Sequence, residues 1–423
     1  MKTQWKDKPV GEVLRLEYGK PLDDVDRKPD GLYPVYGANG EKDRSDKFYF
    51  DRPSIIVGRK GSAGEVNLTE EKFWPLDVTY FVTFDERQHE LRFLYYLLTT
   101  LDLPTLAKGI KPGINRNEVY SQVTKIPLLP EQQRIVGIID EAFEGIATAK
   151  ANAEKNLQNA RALFQSALCQ SVIGETTKEW REARRTGKTS APSDLKGLLE
   201  KIGAADRKPV RSEETVGRDA ITDALPKEWR HAYIQQLFNL IDYRGKTASK
   251  SDTGRRLITA RNIRMGFLSD EPVTFISEEQ YKKWMVRGFP KPGDILFVTE
   301  GHTMGFVALN TRTDDFALAQ RTITLQPPVP FNTRFFFYFM LSSHFQKLVK
   351  LNATGAAAVG MKASKFRSLP LAFPSFAEQA VIADELDDLR EETQRLESIY
   401  QQKLAALDAL KKSLLHQAFT GQL

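Results

Sequence analysis

Glu131-Gln132-Gln133-Arg134-Ile135-Val136 opens a run that closes on Ile173-Gly174, and Glu378-Gln379-Ala380-Val381 opens a second that closes on Thr420-Gly421. The two runs stand at a constant shift of 247 positions, so 44 residues repeat without a gap. A copy of that length, preceded each time by a globular-looking stretch, predicts a two-fold pseudo-symmetric chain built as globule, helix, globule, helix. Its natural ligand has two separated, similar faces.

In the first run Ile135, Ile139, Ala142, Ile146, Ala149, Ala153, Ala160, Leu163 and Ala167 alternate at spacings of four and three, interrupted at Asn156. That is a heptad seam. The second run carries Ile382, Leu386, Leu389, Thr393, Tyr400, Leu407, Leu410 and Leu414 in the same register. Alanines dominate one seam and leucines the other, so small knobs can face large ones across a close pair. We expect an intramolecular antiparallel coiled coil holding the globules apart, each helix roughly 65 Å long at 1.5 Å per residue. An ordinary helical hairpin packed into one compact core is the alternative.

The pattern predicts an α+β protein with a first globule over 1–130, a repeated helix over 131–174, a charged linker with a short helix over 175–222, a second globule over 223–377 and a second repeated helix over 378–423. Within the linker, the helical run is expected near Leu195 to Ile202. A length of 423 residues already favours two or more domains. Hydrophobic content of 41% against 27% charge excludes the disordered and membrane-embedded classes. Apolar runs such as Phe335 to Leu341 are too short to span a bilayer, and Met1 to Asp7 leads into no signal-like segment, so a cytoplasmic protein without membrane association is expected. A lone Cys169 can form no internal disulfide, and five scattered histidines offer no zinc spacing, so no metal is expected.

Charge is unevenly spread. Residues 223 to 377 hold 21 Lys and Arg against 12 Asp and Glu, residues 1 to 130 hold 20 of each, and both repeated runs are net acidic. Positive charge on the globules, most of all the second, suits a polyanion's phosphates.

The globules repeat more loosely. Trp5 through Lys20 resembles Trp229 through Lys246, and Ile55-Ile56-Val57-Gly58-Arg59-Lys60-Gly61-Ser62-Ala63-Gly64-Glu65-Val66 resembles Ile295 through Val307. Each of the latter pair is a β-rich run, a glycine-bracketed turn and a second β-rich run, which predicts a hairpin. Arg92-Phe93-Leu94-Tyr95-Tyr96-Leu97 and Arg334-Phe335-Phe336-Phe337-Tyr338-Phe339 read as buried helices that fill the core rather than stack on bases. A polar glycine-containing loop closes each globule, Lys108 to Arg116 and Asn352 to Lys362, before a proline-ended β-like run.

Glycines let a backbone approach a surface, and flanking Lys, Arg and Asn can meet phosphates or base edges. The candidate DNA-binding residues are Arg59, Lys60, Ser62, Lys108, Lys111, Asn115 and Arg116 in the first globule, and Arg261, Asn262, Arg264, Glu300, His302, Thr303 and Lys362 in the second. Arg reads guanine and Glu accepts from cytosine, so Arg59-Lys60 against Thr299-Glu300 at equivalent places suggests two heads reading different sequences. The bland reading, solvent-facing hairpins, competes at each basic position.

No residues are expected to be catalytic. The chain contains no Asn-Pro-Pro-Tyr or Asp-Pro-Pro-Tyr type sequence, no glycine fingerprint for S-adenosylmethionine or a dinucleotide, and no phosphate loop ending in Gly-Lys-Ser/Thr. Asp30 after Pro29, with Glu70 and Lys72, only faintly imitates a metal nuclease.

Two variable globules alternating with two near-identical helices, each helix begun by a proline-bounded run and Glu-Gln, resemble the specificity subunit of a Type I restriction-modification system. The likeness covers almost the whole chain and is strongest at the helix starts and at the endings Ser166-Ala167-Leu168, Ser413-Leu414-Leu415 and Gln417-Ala418-Phe419-Thr420-Gly421. The second start, Ser375-Phe376-Ala377-Glu378-Gln379-Ala380-Val381, departs from it by lacking the Gln-Arg pair. The resemblance implies a non-catalytic reader of double-stranded DNA without its own cofactor. Each target recognition domain would bind one half of a split, asymmetric sequence while the helices fix the gap. It further implies two modification subunits that carry S-adenosylmethionine and methylate adenine, and restriction subunits that translocate and cut DNA. A stand-alone nuclease or methyltransferase with an atypical site and a protein-binding coiled-coil scaffold are the competing functions.

Overall fold

The computed structural model describes residues 5–186, 225–243, 247–329, 331–355 and 359–423. Two helices dominate it, Leu129–Ser171 with 43 residues and Phe376–Thr420 with 45. The chain divides into two compact units, residues 1–156 with 399–423 and residues 157–398. Most of the linker, including the run near Leu195 to Ile202, lies outside the described residues, but Lys178–Thr186 is helical.

Both units are built on one plan. In the first, Leu14–Tyr18, Thr79–Phe84, Ser54–Gly58 and Val66–Thr69 form an antiparallel four-stranded sheet in that spatial order. In the second, Asn239–Asp242, Thr322–Gln326, Ile295–Val298 and Val307–Leu309 repeat the order and direction. The expected hairpins are the Ser54–Thr69 and Ile295–Leu309 pairs. A three-stranded sheet accompanies each: Tyr33–Gly37 between Gly40–Ser45 and Trp74–Pro75, and Arg255–Ile258 between Phe275–Ile276 and Phe316–Leu318. In both the central strand has one antiparallel and one parallel neighbour.

Ile55-Ile56-Val57 and Ile295-Leu296-Phe297-Val298, the first strands of the hairpins, are apolar throughout because both sheet faces are covered there. Ile55 and Val57 point into the helix-side core with Phe93, Leu97, Ile135 and Ile139, whereas Ile56 meets Phe73 and Phe81 on the opposite side. In the second unit Ile295 and Phe297 face Phe335, Phe339 and Ile382, while Leu296 and Val298 face Ile258 and Leu318. The period-two side-chain alternation of a strand therefore feeds two cores at once. Phe335 to Phe339 are at most 1% exposed, so this aromatic run fills the interior as its sequence suggests.

Repeated polar contacts fix each long helix to its globule. Gln132 and Gln379 are fully buried, and each donates from Nε2 to the carbonyl of the proline five residues earlier, Pro127 and Pro374, at 2.9 Å. This is the physical content of the Glu-Gln signature: the side chain closes the turn that admits the chain into the helix, satisfying an otherwise buried carbonyl. Asp140 accepts from Tyr96 and pairs with Arg92, and Asp387 accepts from Tyr338 and pairs with Arg334. Burial, followed by the neighbouring carboxylate, raises both phenols.

The missing Arg at the second helix start also has an explanation. In the first unit Arg134 holds Glu131 through two bonds of 2.8 Å and donates to the Leu423 carbonyl at 2.9 Å. In the second, Arg181 takes that place from beyond the first helix, donating to Glu378 at 2.6 Å and to the Gly174 carbonyl at 2.7 Å. Thr177 and Trp229 donate to the same carboxylate oxygen. With Arg181 present, position 381 is free to be Val.

Within each unit the helix segments run antiparallel. In the first, Phe143 lies under Lys411 and Lys150 pairs with Asp408 at 2.7 Å; in the second, Arg161 pairs with Glu397 at 3.0 Å. Ile135, Ile139, Ile146, Ala153 and Ala160 are buried as the heptad pattern requires. The pattern then shifts: Leu157 and Phe164 turn inward, and Leu163, assigned to the seam from sequence, is 54% exposed. Its counterpart Leu410 is 46% exposed, with Leu404 and Leu407 inward instead. A straight helix drifts by about 20° per heptad, enough to move a marginal position out of the seam.

Candidate nucleic-acid interface

In each unit the turn of the central hairpin and the loop before the final strand are stitched into one surface. Gly61 donates to the Pro112 carbonyl at 2.9 Å and Ile114 to the Arg59 carbonyl at 3.0 Å. In the second unit Gly301 donates to the Val359 carbonyl and Met361 to the Thr299 carbonyl, both at 2.9 Å. The construction is the same bond for bond. Gly61 and Gly301 have φ values of 82° and 89°, the left-handed region that favours glycine, and this aims each amide at the opposing loop. Lys108 and Gly113 bridge within the first loop as Thr354 and Gly360 do within the second. The two loop pairs noted in the sequence therefore form one face per unit.

The side chains on these faces differ. On the first, Arg59 and Arg116 both lie over the ring of Tyr18, with centroid distances of 5.3 and 5.0 Å. Lys60 and Lys111 are exposed, and Ser62 is partly exposed. Lys108 is exposed but paired with Glu118, and Asn115 caps the helix Arg116–Tyr120 by accepting from Asn117 at 2.9 Å. Between the lysines, at the loop tip, Ile110 is wholly exposed. On the second face Glu300 and Thr303 are partly exposed and His302 is exposed; Lys362 is exposed at the start of the helix Ala363–Arg367, the place of Asn115. Arg321, with φ of 76°, stands behind Glu300 at 4.0 Å and accepts through its carbonyl from the Thr299 amide.

Three further candidates lie in the second unit, in the loop after strand Arg255–Ile258. Arg261 and Arg264 are exposed. Asn262 is a correction: it is fully buried, accepting from the Thr259 amide and hydroxyl and donating to the carbonyls of Ser269 and Pro272. All its hydrogen-bonding capacity closes that loop, so it cannot reach a base.

Sequence reading missed Tyr18 and Arg321. Tyr18 closes a strand and reads as an ordinary core aromatic; the register that pairs it with Tyr80 places it 45% exposed beside the turn. Arg321 carries no local signal, since a left-handed backbone at an arginine, here φ 76°, is not written in the residue type.

The charge sum also misleads. Although the second globule has the larger positive balance, several of its arginines are neutralised locally: Arg256 and Arg312 by Asp270, Arg255 by Glu278, and Arg334 by Asp384 and Asp387. The more cationic loop face belongs to the first.

Among the described residues, no cluster of His, Cys, Asp or Glu could hold a metal ion, and no helix is long and apolar enough to cross a membrane. The nuclease-like triplet is not assembled, since Glu70 pairs with Arg92 and Lys72 lies over Phe48.

The duplicated sheet, the twinned loop face and the paired helix segments define a protein of two equivalent units, each presenting one loop face of its own. The family model described as Type I restriction modification DNA specificity domain matches residues 2–158 and again 226–405, and the chain belongs to that family of DNA-recognition subunits. Over 433 aligned residues it is 22% identical to the Type I restriction enzyme EcoDI specificity subunit of Escherichia coli, covering all of this chain and 89% of that protein. A 92-residue stretch, 22% of this chain and 20% of the relative, is 33% identical to the EcoKI specificity subunit of E. coli strain K12. Among solved structures, a chain from work on complex assembly and conformational transition of the type I R-M system is similar at a TM-score of 0.67 with 14% identity, covering 99% of this chain and 98% of the other. The HsdS subunit from Thermoanaerobacter tengcongensis is similar at 0.55 with 16% identity, covering 99% and 97%.

Proposed function

We propose that each unit reads one half of a bipartite, asymmetric sequence in double-stranded DNA through its stitched loop face, and that the two long helices set the gap between the halves. One observation carries the reading: the same loop junction is built twice, amide for carbonyl, and bears Arg59-Lys60 in one copy and Thr299-Glu300 in the other. An identical scaffold with divergent side chains is what reading two different half-sites requires. Lys60, Ser62 and Lys111 on one face, and Glu300, His302 and Thr303 on the other, are placed to meet base edges and phosphates. The chain itself does no chemistry and takes no cofactor. Two modification subunits, which supply S-adenosylmethionine, dock along the helices, where Leu163 and Leu410 stand exposed at the same position of the 247-residue repeat. Restriction subunits join that complex, which works in the cytoplasm.

A methylation assay tests this. The chain alone should be inert with S-adenosylmethionine or Mg²⁺, and with cognate modification subunits it should protect a two-part site. Methylation or cleavage by the pure chain would instead identify a stand-alone enzyme, and salt-insensitive DNA affinity of the complex would leave a protein scaffold.

A further inference from the structure

We propose that Tyr18, Arg59 and Arg116 form a clamp for a single backbone phosphate of the first half-site, and that the second unit has no counterpart among the described residues. This rests on the DNA-reading function proposed above and assigns Arg59 a positioning task in place of the base contact its sequence context suggests.

Three observations converge. Both guanidinium carbons lie within 5.3 Å of the centre of one phenol ring, so they stand at most about 10 Å apart. Among the described residues no carboxylate pairs with either, whereas Lys108 in the adjoining loop has Glu118 and Arg92 in the same unit has Asp140. The Arg59 Nε is buried and has no hydrogen-bond partner. Two like charges held against one ring without a counterion make a site for an anion. A guanine edge is neutral and would leave both charges uncompensated, while one phosphate oxygen pair can accept from both planar groups. The ring supplies the geometry. Tyr18 is 45% exposed yet braced by the tilted ring of Tyr80 at 5.2 Å, so it holds the arginines at the edge of the loop surface rather than letting them sweep through solvent.

The strand registers identify the matching positions in the second unit. Tyr18 pairs with Tyr80 where Asp242 pairs with Ile323, and the loop equivalents of Arg59 and Arg116 are Thr299 and Ala363. None of the three is cationic or aromatic. Among the described residues, the clamp is therefore an extra charged contact of the first half-site alone.

The test is affinity of the complete complex with its modification subunits for its own target, measured against salt concentration. The double variant Arg59→Ala/Arg116→Ala should lower the slope of log K on log salt by about one while leaving the preferred bases of both half-sites unchanged. Tyr18→Ala should reproduce part of that loss and Tyr18→Phe, which keeps the ring, none. A methylphosphonate walked along the first half-site should find one position that weakens the unmodified complex and leaves the double variant indifferent; the walk on the unmodified complex decides the matter if the double variant fails to assemble. An unchanged slope with altered base preference would overturn the clamp in favour of base reading, and an unchanged slope with unchanged preference would leave the pair without a role. Absence of salt-dependent binding by the unmodified complex would refute the DNA-reading proposal itself.

Discussion

Removing one heptad from each long helix should shorten the gap between the half-sites. Deleting Glu154–Ala160 and Ser398–Leu404 takes seven residues from each helix, leaves Ala153 in the seam position of Ala160, and spares the ion pairs Lys150–Asp408 of one unit and Arg161–Glu397 of the other. Seven residues at 1.5 Å remove about 10 Å of rod, the rise of roughly three base pairs. The helices themselves turn by only about 20° per heptad, whereas three base pairs of a helix with about 10.5 per turn rotate a half-site by roughly 100°. Translation thus favours the full change and rotation opposes it, so the gap should fall by between one and about three base pairs. Deleting the heptad from one helix alone leaves one seam unmatched and should abolish assembly. Methylome sequencing of cells carrying the variant with its modification subunit reads the gap directly. Full modification at the original gap would refute the helices as its determinant, because rods shortened by that length could not place both faces as before.

Glu300→Gln should change the preferred base at one position of the second half-site, read by the same sequencing, since an amide donates where the carboxylate only accepted; a change in the first half-site would contradict separate reading. Arg181→Met should cost about 3–5 kcal/mol of stability in denaturant unfolding, because it strands the buried Glu378 carboxylate, and Arg181→Met/Glu378→Gln should recover most of it. A single variant within 1 kcal/mol of the parent would show the knot to be unimportant. His89 is buried beside Gln132, and burial, then Lys8, pushes its pKa below the ordinary imidazole value. The unfolded chain therefore binds this proton more readily, so the stability contributed is present above about pH 6.5 and lost as pH falls below it. His89→Gln should flatten the unfolding midpoint between pH 7.5 and 5.5, and an undiminished slope would exclude this histidine as the source.

The fold was legible where one physical requirement writes one residue pattern. Gln132 and Gln379 close the same turn, and the frame of 247 positions set by them locates both helices to within a few residues of their observed bounds. Legibility failed where a requirement is met from elsewhere in the chain. Arg134 serves Glu131 from three residues away and is visible as a motif, while Arg181 serves Glu378 from 197 residues away and made the second helix start look defective. The same rule divides the site. The glycines that stitch the loops are local necessities and were visible, whereas whether an Asn on such a loop faces out or in depends on how the loop closes: Asn262 is consumed by Ser269 and Pro272, seven and ten residues on, a closure that no motif marks.

Charge obeys that rule too, which bears on how the two heads share the work. A sum over 223 to 377 counts Arg334 as an available cation, yet Asp384 and Asp387 meet it from outside the segment, and inside it Arg256 and Arg312 share Asp270. Phosphate attraction at a loop face is thus not set by the sum: the head whose total is zero carries Arg59 and Arg116 there, with no carboxylate partner among the described residues. A reader whose first face carries this extra cationic clamp loses affinity unequally as salt rises, the first half-site failing before the second. Raising salt on paired substrates, each with one half-site intact, should therefore weaken the substrate that keeps the first half more steeply; equal slopes would mean that the arginines of the second globule exchange their carboxylates for phosphates on binding.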